Sequence, residues 1–156
     1  MEMHEAMNDV LNDLVMINND RIASYEKAIE EAKGMDIDLK ATFRSMITQS
    51  VAYKLELTQM IEAHGGIVED DTTSAGKIYR AWMDIKSAIT DSSRNSILAS
   101  CEFNEDATQR AYEAALGSGH LIDEAARKLV EDEQNSLKKS HELIKNQHEA
   151  HKLLPQ

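Results

Sequence analysis

Apolar side chains recur every three or four residues along most of the chain, and this spacing predicts amphipathic α-helices. Glycines interrupt the pattern at a few places, where helices commonly end. Pro155, the only proline, lies next to the last residue, so nothing in the interior opposes long helices. The sequence therefore predicts an all-α fold of four long helices and a short one, at about 5–33, 37–64, 75–89 (the short one), 92–116 and 122–152.

The connections between the predicted helices indicate how they pack. Two short turns favour two antiparallel hairpins, whereas the connection at 65–91 is much longer and, with its short helix, can run the length of a bundle. We therefore predict a single domain over residues 1–156, a ferritin-like antiparallel four-helix bundle with a long crossover between helices 2 and 3. Arg80 and Trp82 are expected to dock the crossover. The alternative is a short helix folded over one end of the bundle.

The inward row of the third helix is polar at its centre, where a plain bundle helix would carry leucines. Glu105 lies in the middle of this row, and burying a carboxylate is costly unless it finds a partner. One interpretation is a layer of hydrogen-bonded side chains that sets the register of the helices. The members predicted for this polar core are Asn18, Tyr25, Glu26, Gln49, Tyr53, Gln109, Tyr112 and Gln134.

The other interpretation of the polar row is a metal site. Carboxylate-bridged two-metal bundles take a Glu from each of two helices and a Glu-x-x-His motif from each of the other two. Neither the second nor the fourth helix carries that motif at a suitable position, so a full two-metal centre is not expected. The alternative is a reduced site for iron, zinc or another divalent metal, held by Glu102, Glu105, Glu133 and His141. If Glu105 and Glu133 are buried side by side without a cation, one of them should hold a proton.

The formal net charge of −11 bears on partners and location. Phosphate groups repel such a surface, which argues against nucleic acids and anionic membranes as partners. The acidic N-terminal stretch lacks the basic and apolar regions of a secretory signal, and the single cysteine, Cys101, cannot form an intrachain disulfide. We therefore expect a cytoplasmic protein. His148 and His151 are expected to be fraying residues at the end of the last helix.

A family resemblance is carried chiefly by two stretches, SAGKIYRAWMDIKSAI and ILASCEFNEDATQRAYEAAL. They are similar to a bacterial family of unknown function whose members are described as ferritin-like four-helix-bundle proteins. The similarity covers about residues 8–147 and implies the ferritin-like fold. A more distant similarity, to the YciF-type stress-induced ferritin-like proteins, implies no established activity. Relatives with two-metal sites keep the Glu-x-x-His motifs that this chain lacks.

Two functions from different classes are consistent with these features. The first is a non-enzymatic, stress-associated bundle protein that acts as a homo-oligomer or through a protein partner, with no cofactor expected. The alternative is a metal-binding ferritin-like protein or an oxidoreductase that uses the reduced carboxylate and histidine site. A third idea makes the apolar face of residues 75–89 a docking surface for a partner, and it requires Trp82 to be accessible to solvent.

Overall fold

Four long α-helices account for most of the residues that the structure, a computed structural model, describes. The ends of these helices lie within about one helical turn of the predicted ends, and the all-α prediction is confirmed. None of the described helices is both long and apolar enough to cross a membrane. The described residues are 2–32, 37–68, 78–79, 82 and 93–153. The helices are α1 (Glu2–Glu31), α2 (Ile37–Ala63), α3 (Arg94–Gly117) and α4 (Glu124–Lys152).

Side-chain caps explain where α3 and α4 begin. The Oγ atom of Ser93 accepts a hydrogen bond of 3.2 Å from the backbone N–H of Ser96. The carboxylate of Asp123 accepts bonds from the backbone N–H groups of Ala125 at 2.7 Å and Ala126 at 3.2 Å. These N–H groups have no acceptor within their own helix, so each cap stabilises the first turn.

Contacts between the helices establish the topology of the bundle. α1 packs most closely on α2, and α3 on α4; α1 also faces α3, and α2 faces α4 across a looser contact. At the start of α3, the guanidinium of Arg94 lies 3.4 Å from a carboxylate oxygen of Asp38, at the start of α2. Because α2 and α3 begin at the same end, the chain between them must return along the bundle. The predicted crossover is confirmed, and the alternative of a helix folded over one end is wrong.

The described part of the crossover packs on α1 and α3. The hydroxyl of Tyr79 donates a hydrogen bond of 2.6 Å to Asp20 on α1, and the indole N–H of Trp82 donates one of 3.3 Å to Thr108 on α3. The two aromatic rings are stacked, with their centroids 6.4 Å apart. Burial, followed by the bond to Asp20, raises the pKa of Tyr79, so its phenol stays protonated and donates.

Trp82 is not accessible to a partner, because its side chain is only 2% exposed. The idea that this tryptophan forms a docking surface for another protein is therefore wrong. Residues 78, 79 and 82 are helical, as predicted for this segment. Arg80 and the remainder of the short helix predicted at 75–89 lie outside the described residues.

Replacing Tyr79 with phenylalanine tests the docking of the crossover. The change should lower the free energy of unfolding by about 1–2 kcal/mol, because Asp20 loses a charge-assisted hydrogen bond. Denaturation by urea would measure the difference. Asp20→Asn is the companion variant, since its amide oxygen still accepts from Tyr79, and it should lose less stability. Equal stability of Tyr79→Phe and the wild type would show that the bond does not hold the crossover.

A layer of polar side chains divides the buried core of the described residues into two apolar clusters. The larger cluster lies toward the end of the bundle where α2 ends and includes Leu11, Leu57 and Trp82. The smaller cluster lies toward the end where α2 begins and includes Phe43 and Leu98. The polar layer between the two clusters holds the candidate site.

Candidate functional site

Arg21, on α1, lies at the centre of the polar layer and is 3% exposed. Its Nε and Nη2 atoms lie 2.9 Å and 2.8 Å from the same oxygen, Oε1 of Glu105 on α3. Glu105 is 1% exposed, so the two groups form a fully buried ion pair between helices that are adjacent in space and distant in sequence. The partner that Glu105 requires is therefore a cation supplied by the chain itself.

The remaining donors of Arg21 are satisfied by α2. Its Nη1 atom donates to Oγ of Ser50 at 2.7 Å and to the backbone carbonyl of Met46 at 3.3 Å. On α1 itself, Tyr25 donates its hydroxyl proton to the oxygen of Glu105 that also binds Arg21. The guanidinium carbon lies 5.4 Å from the centre of the Tyr25 ring, within the range of a cation–π contact. Three helices thus converge on one guanidinium.

Electrostatics keep Arg21 charged. Burial acts to lower the pKa of Arg21, but the negative charge of Glu105 and the hydrogen bond to it more than offset that effect, and the pKa is raised. Burial, followed by the same carboxylate, raises the pKa of Tyr25 well above its usual range. Tyr25 therefore remains a neutral hydrogen-bond donor, and Arg21 carries a permanent positive charge.

A second network lies beside the ion pair, toward the larger apolar cluster. The hydroxyl of Tyr112, on α3, donates a bond of 2.7 Å to Oε1 of Glu133 on α4. It accepts a bond of 3.1 Å from Nδ2 of Asn18 on α1, which also donates to the backbone carbonyl of Leu14 at 2.8 Å. This network links α1, α3 and α4 beside the ion pair.

Glu133 is neutral at pH 7, because its pKa is raised. Burial is the largest cause and, together with the nearby carboxylate of Glu56, raises the pKa of Glu133 to about 9, although the bond from Tyr112 acts in the opposite direction. Neither buried carboxyl group is therefore left as an unpaired negative charge, but the reason differs. Glu105 is paired with a cation, and Glu133 holds a proton.

Glu102 belongs to a third contact, nearer the end of the bundle where α4 ends. One of its oxygens lies 2.8 Å from Nδ1 of His148, and the other ring nitrogen of His148 lies 3.0 Å from Oδ1 of Asn95. His148 is only 5% exposed, so the expectation that it frays with the tail is wrong. It packs inside the bundle because Glu102 and Asn95 on α3 provide hydrogen-bond partners for both ring nitrogens.

The four side chains predicted as metal ligands are not brought together. Glu105 and Glu133 point into separate networks of the core, whereas Glu102 and His141 line a groove of about 350 Å³ between α3 and α4. His141 is half-buried in that groove rather than facing the core. Among the described residues, no group of three or more His, Cys, Asp and Glu side chains is placed to hold a metal ion.

The donors in the core do not suit a two-metal centre. One oxygen of Glu105 already accepts from Arg21 and Tyr25, and α2 presents a hydroxyl and a thioether at this level, from Ser50 and Met46. A guanidinium repels a metal cation placed beside the same carboxylate. The side chains here therefore differ from those of carboxylate-bridged bundles in both ligand type and charge.

Most of the predicted polar core is inward-facing, with one exception. Asn18, Tyr25, Tyr53, Gln109 and Tyr112 are buried. Gln49 and Gln134 are half-buried, and Gln49 accepts a 3.0 Å bond from Ser140 across the contact between α2 and α4. Glu26 is exposed, so its assignment to the core is wrong. It follows Tyr25 directly, and one residue rotates a side chain by about 100° around a helix, out of the core-facing row.

Sequence reasoning missed Arg21, the central residue of the site. Its apolar neighbour Ile22 is only half-buried, so the apolar residue at this point of α1 does not mark the inward face. The available signal was spacing: Arg21 lies three residues after Asn18 and four before Tyr25, so these three side chains share one helix face.

Several buried polar atoms in this region have no hydrogen-bond partner among the described residues. Two of them are carboxyl oxygens, Oε2 of Glu105 and Oε2 of Glu133. The others are Oδ1 of Asn18 and Nε2 of Gln109. The second oxygen of Glu105 and the amide oxygen of Asn18 are left with unused acceptor capacity.

Comparison with known proteins bears on both family and fold. Residues 6–118 match a family described as a domain of unknown function, DUF2383. No curated protein matches the sequence at a significant level.

Two solved structures share the fold. A Dps1 mutant from Mycobacterium smegmatis superposes with a TM-score of 0.84 at 14% identity, over 94% of this chain and 97% of that one. Dps from Microbacterium arborescens, in a high-iron form, superposes with a TM-score of 0.73 at 13% identity, over 92% of each chain. The predicted ferritin-like fold is confirmed, and at such low identity the likeness shows the fold alone.

Proposed function

Since this chain belongs to the DUF2383 family, whose function is unknown, we propose that it is a non-enzymatic ferritin-like bundle protein that acts by association, with a second copy of itself or with another protein. The observation that carries the proposal is the buried ion pair between Arg21 and Glu105. The similarity to the YciF-type proteins supports a stress-associated role in a bacterial cytoplasm.

The charge balance of the core supports a structural role for the polar layer. A guanidinium is positive at every physiological pH, so Glu105 keeps its counter-ion without a metal. Glu133 requires no counter-ion, because its pKa of about 9 leaves it neutral. With both carboxyl groups balanced, the layer serves to hold the helices in one register: sliding α1 by a turn would separate Arg21 from Glu105 and leave two buried charges unpaired.

A second candidate function is a metal-binding protein with a reduced site, for iron or a similar divalent ion. It is favoured by the unused oxygen of Glu105 and by the amide oxygen of Asn18, both buried. Metal binding here would require Glu133 to release its proton, so uptake would strengthen as the pH rises toward its pKa of about 9. In this case the layer would be a binding site rather than a structural device.

Metal retention separates the two candidates. Tag-free protein would be incubated with Fe²⁺ without oxygen, or with Zn²⁺, and then desalted before elemental analysis. We expect the wild type to retain far less than one metal ion per chain, because the charges of the core are already balanced. Glu105→Gln and Glu133→Gln are the test variants, and Glu113→Gln, an exposed position on α3, is the control.

The outcomes are distinct. Stoichiometric metal in the wild type and in Glu113→Gln, lost in Glu105→Gln and Glu133→Gln, would replace the first candidate by the second. Retention that survives both core substitutions would place the metal outside the core and leave the polar layer structural. Retention near zero in every protein is the expected result for the first candidate.

A further inference from the structure

The outer face of α2 carries a row of residues at alternating steps of four and three. Steps of three and four keep these side chains on one face of the helix. Three of the apolar members are strongly exposed: Ile37 at 72%, Val51 at 52% and Leu55 at 57%. We call this row the α2 seam; its members are Ile37, Ala41, Arg44, Thr48, Val51, Leu55, Thr58 and Glu62.

The α2 seam is distinct from the face that α2 buries. The buried row of α2 includes Phe43, Ser50 and Leu57, and it packs on the core. At about 100° per residue, the seam lies on nearly the opposite side of the helix. The described crossover residues Tyr79 and Trp82 dock on α1 and α3, so they do not cover it. Single exposed apolar residues are ordinary on a protein surface, but Val51 and Leu55 lie four residues apart and form an adjacent exposed apolar pair.

Charge allows two copies to meet at this face. α2 contains three basic residues and three acidic residues and is neutral overall, in a chain whose net charge is −11. Repulsion between two such chains is therefore weak where α2 meets α2. Among the residues that the structure describes, neither Arg44 nor Glu62 forms an ion pair, so both charges remain available at the surface.

The α2 seam is self-complementary when two copies of α2 run antiparallel. Two copies of α2 placed antiparallel, with the two-fold axis level with Tyr53, bring Val51 of one copy against Leu55 of the other. The same symmetry places Thr48 against Thr58 and Arg44 against Glu62. A parallel arrangement would instead place Arg44 against Arg44 and Glu62 against Glu62. Like charges at those positions disfavour the parallel arrangement, so the seam specifies an antiparallel pair.

We propose that two copies of this chain associate through the α2 seam, antiparallel, with Val51 and Leu55 at the centre and Arg44 paired with Glu62 at both ends. The inference rests on the proposed function, in which the chain acts by association, and it identifies the partner as a second copy. Because the contact is two-fold symmetric, every substitution in the seam is present twice in the complex.

Sedimentation equilibrium of the full chain and its variants would test the seam. The wild type is expected to form a dimer, and Leu55→Glu to weaken it about 100-fold, since two charges enter the apolar centre. Leu143→Glu, the same change at a 44% exposed position on α4, is the matched control and should leave the dimer intact. Circular dichroism would establish that each variant is folded.

Charge reversal tests the antiparallel arrangement. Arg44→Glu and Glu62→Arg should each weaken the dimer about tenfold or more, because each puts like charges together at both ends. The double variant, Arg44→Glu with Glu62→Arg, restores opposite charges and should recover the dimer. Failure of the double variant to recover would overturn the antiparallel pairing.

The remaining outcomes separate this inference from the proposed function. A wild-type dimer that is unchanged in Leu55→Glu would overturn the α2 seam while leaving self-association in place. A wild-type chain that stays monomeric at millimolar concentration would overturn both the seam and self-association, and would leave a different protein as the partner.

Discussion

Replacement of Glu105 by leucine is expected to lower the free energy of unfolding by about 3–5 kcal/mol, one of the two largest effects in this chain. Arg21 would stay positively charged at a position that is 3% exposed, without its carboxylate. The hydroxyl of Tyr25 would also lose its acceptor. Removing one member of a buried ion pair is costly mainly because the other member is left unpaired.

A double variant tests whether the lost stability comes from the unpaired charge of Arg21. Removing both charges together, as Arg21→Met with Glu105→Leu, should recover much of the lost stability, because no buried charge then lacks a partner. Urea denaturation of wild type, single and double variants would give the coupling between the two positions. Glu113→Leu, an exposed change on the same helix, is the control and should alter stability by about 0.5 kcal/mol or less. A Glu105→Leu protein no less stable than this control would contradict the structure of the layer.

Stability is expected to fall as the pH rises from about 5 to about 9, because of Glu133. Its pKa is raised from 4.5 to about 9 in the folded protein, so between those values the folded state holds a proton that the unfolded state has lost. The contribution of Glu133 is therefore most favourable below its unfolded pKa and is lost progressively through the folded pKa. The limiting slope is about 1.4 kcal/mol per pH unit, so the total effect reaches several kcal/mol.

Glu133→Gln isolates this effect. Glutamine has nearly the shape of the protonated carboxyl group and still accepts from Tyr112, but it does not ionise. The variant should match the wild type near pH 5 and be more stable than the wild type by a margin that grows toward pH 9. Thermal unfolding followed across this range would measure the margin, with Glu113→Gln as the exposed control. A wild type and variant with parallel pH profiles would show that Glu133 is ionised in the folded protein.

The long helices were largely predictable from the sequence, because apolar spacing is a local signal. The inward row through Glu105 was predicted, and so was the crossover. Glu105 follows Leu98 and Cys101 at helical steps of three and four residues. Periodicity places such a residue on the inside without reference to the rest of the fold.

The partners of those polar residues could not be obtained in the same way. Arg21 is buried only because Glu105, 84 positions later in the chain, faces it, and no local pattern on α1 records that pairing. The same holds for His148, whose hydrogen-bond partners lie 46 and 53 positions earlier on α3. The prediction for Glu26 is wrong in the opposite sense, because this residue was placed in the core and is exposed. A glutamate beside an inward tyrosine stays in water when no group in the core neutralises it.

The division of the core at Arg21 and Glu105 also affects how the bundle opens. In a continuous apolar core, opening one half exposes only apolar surface to water. Here, opening either half lets water reach the charges of Arg21 and Glu105. Water relieves the free-energy cost of burying these charges, so the full cost applies only when both halves are closed. We therefore expect the two apolar clusters to open as separate units, with the charged layer as the boundary between them.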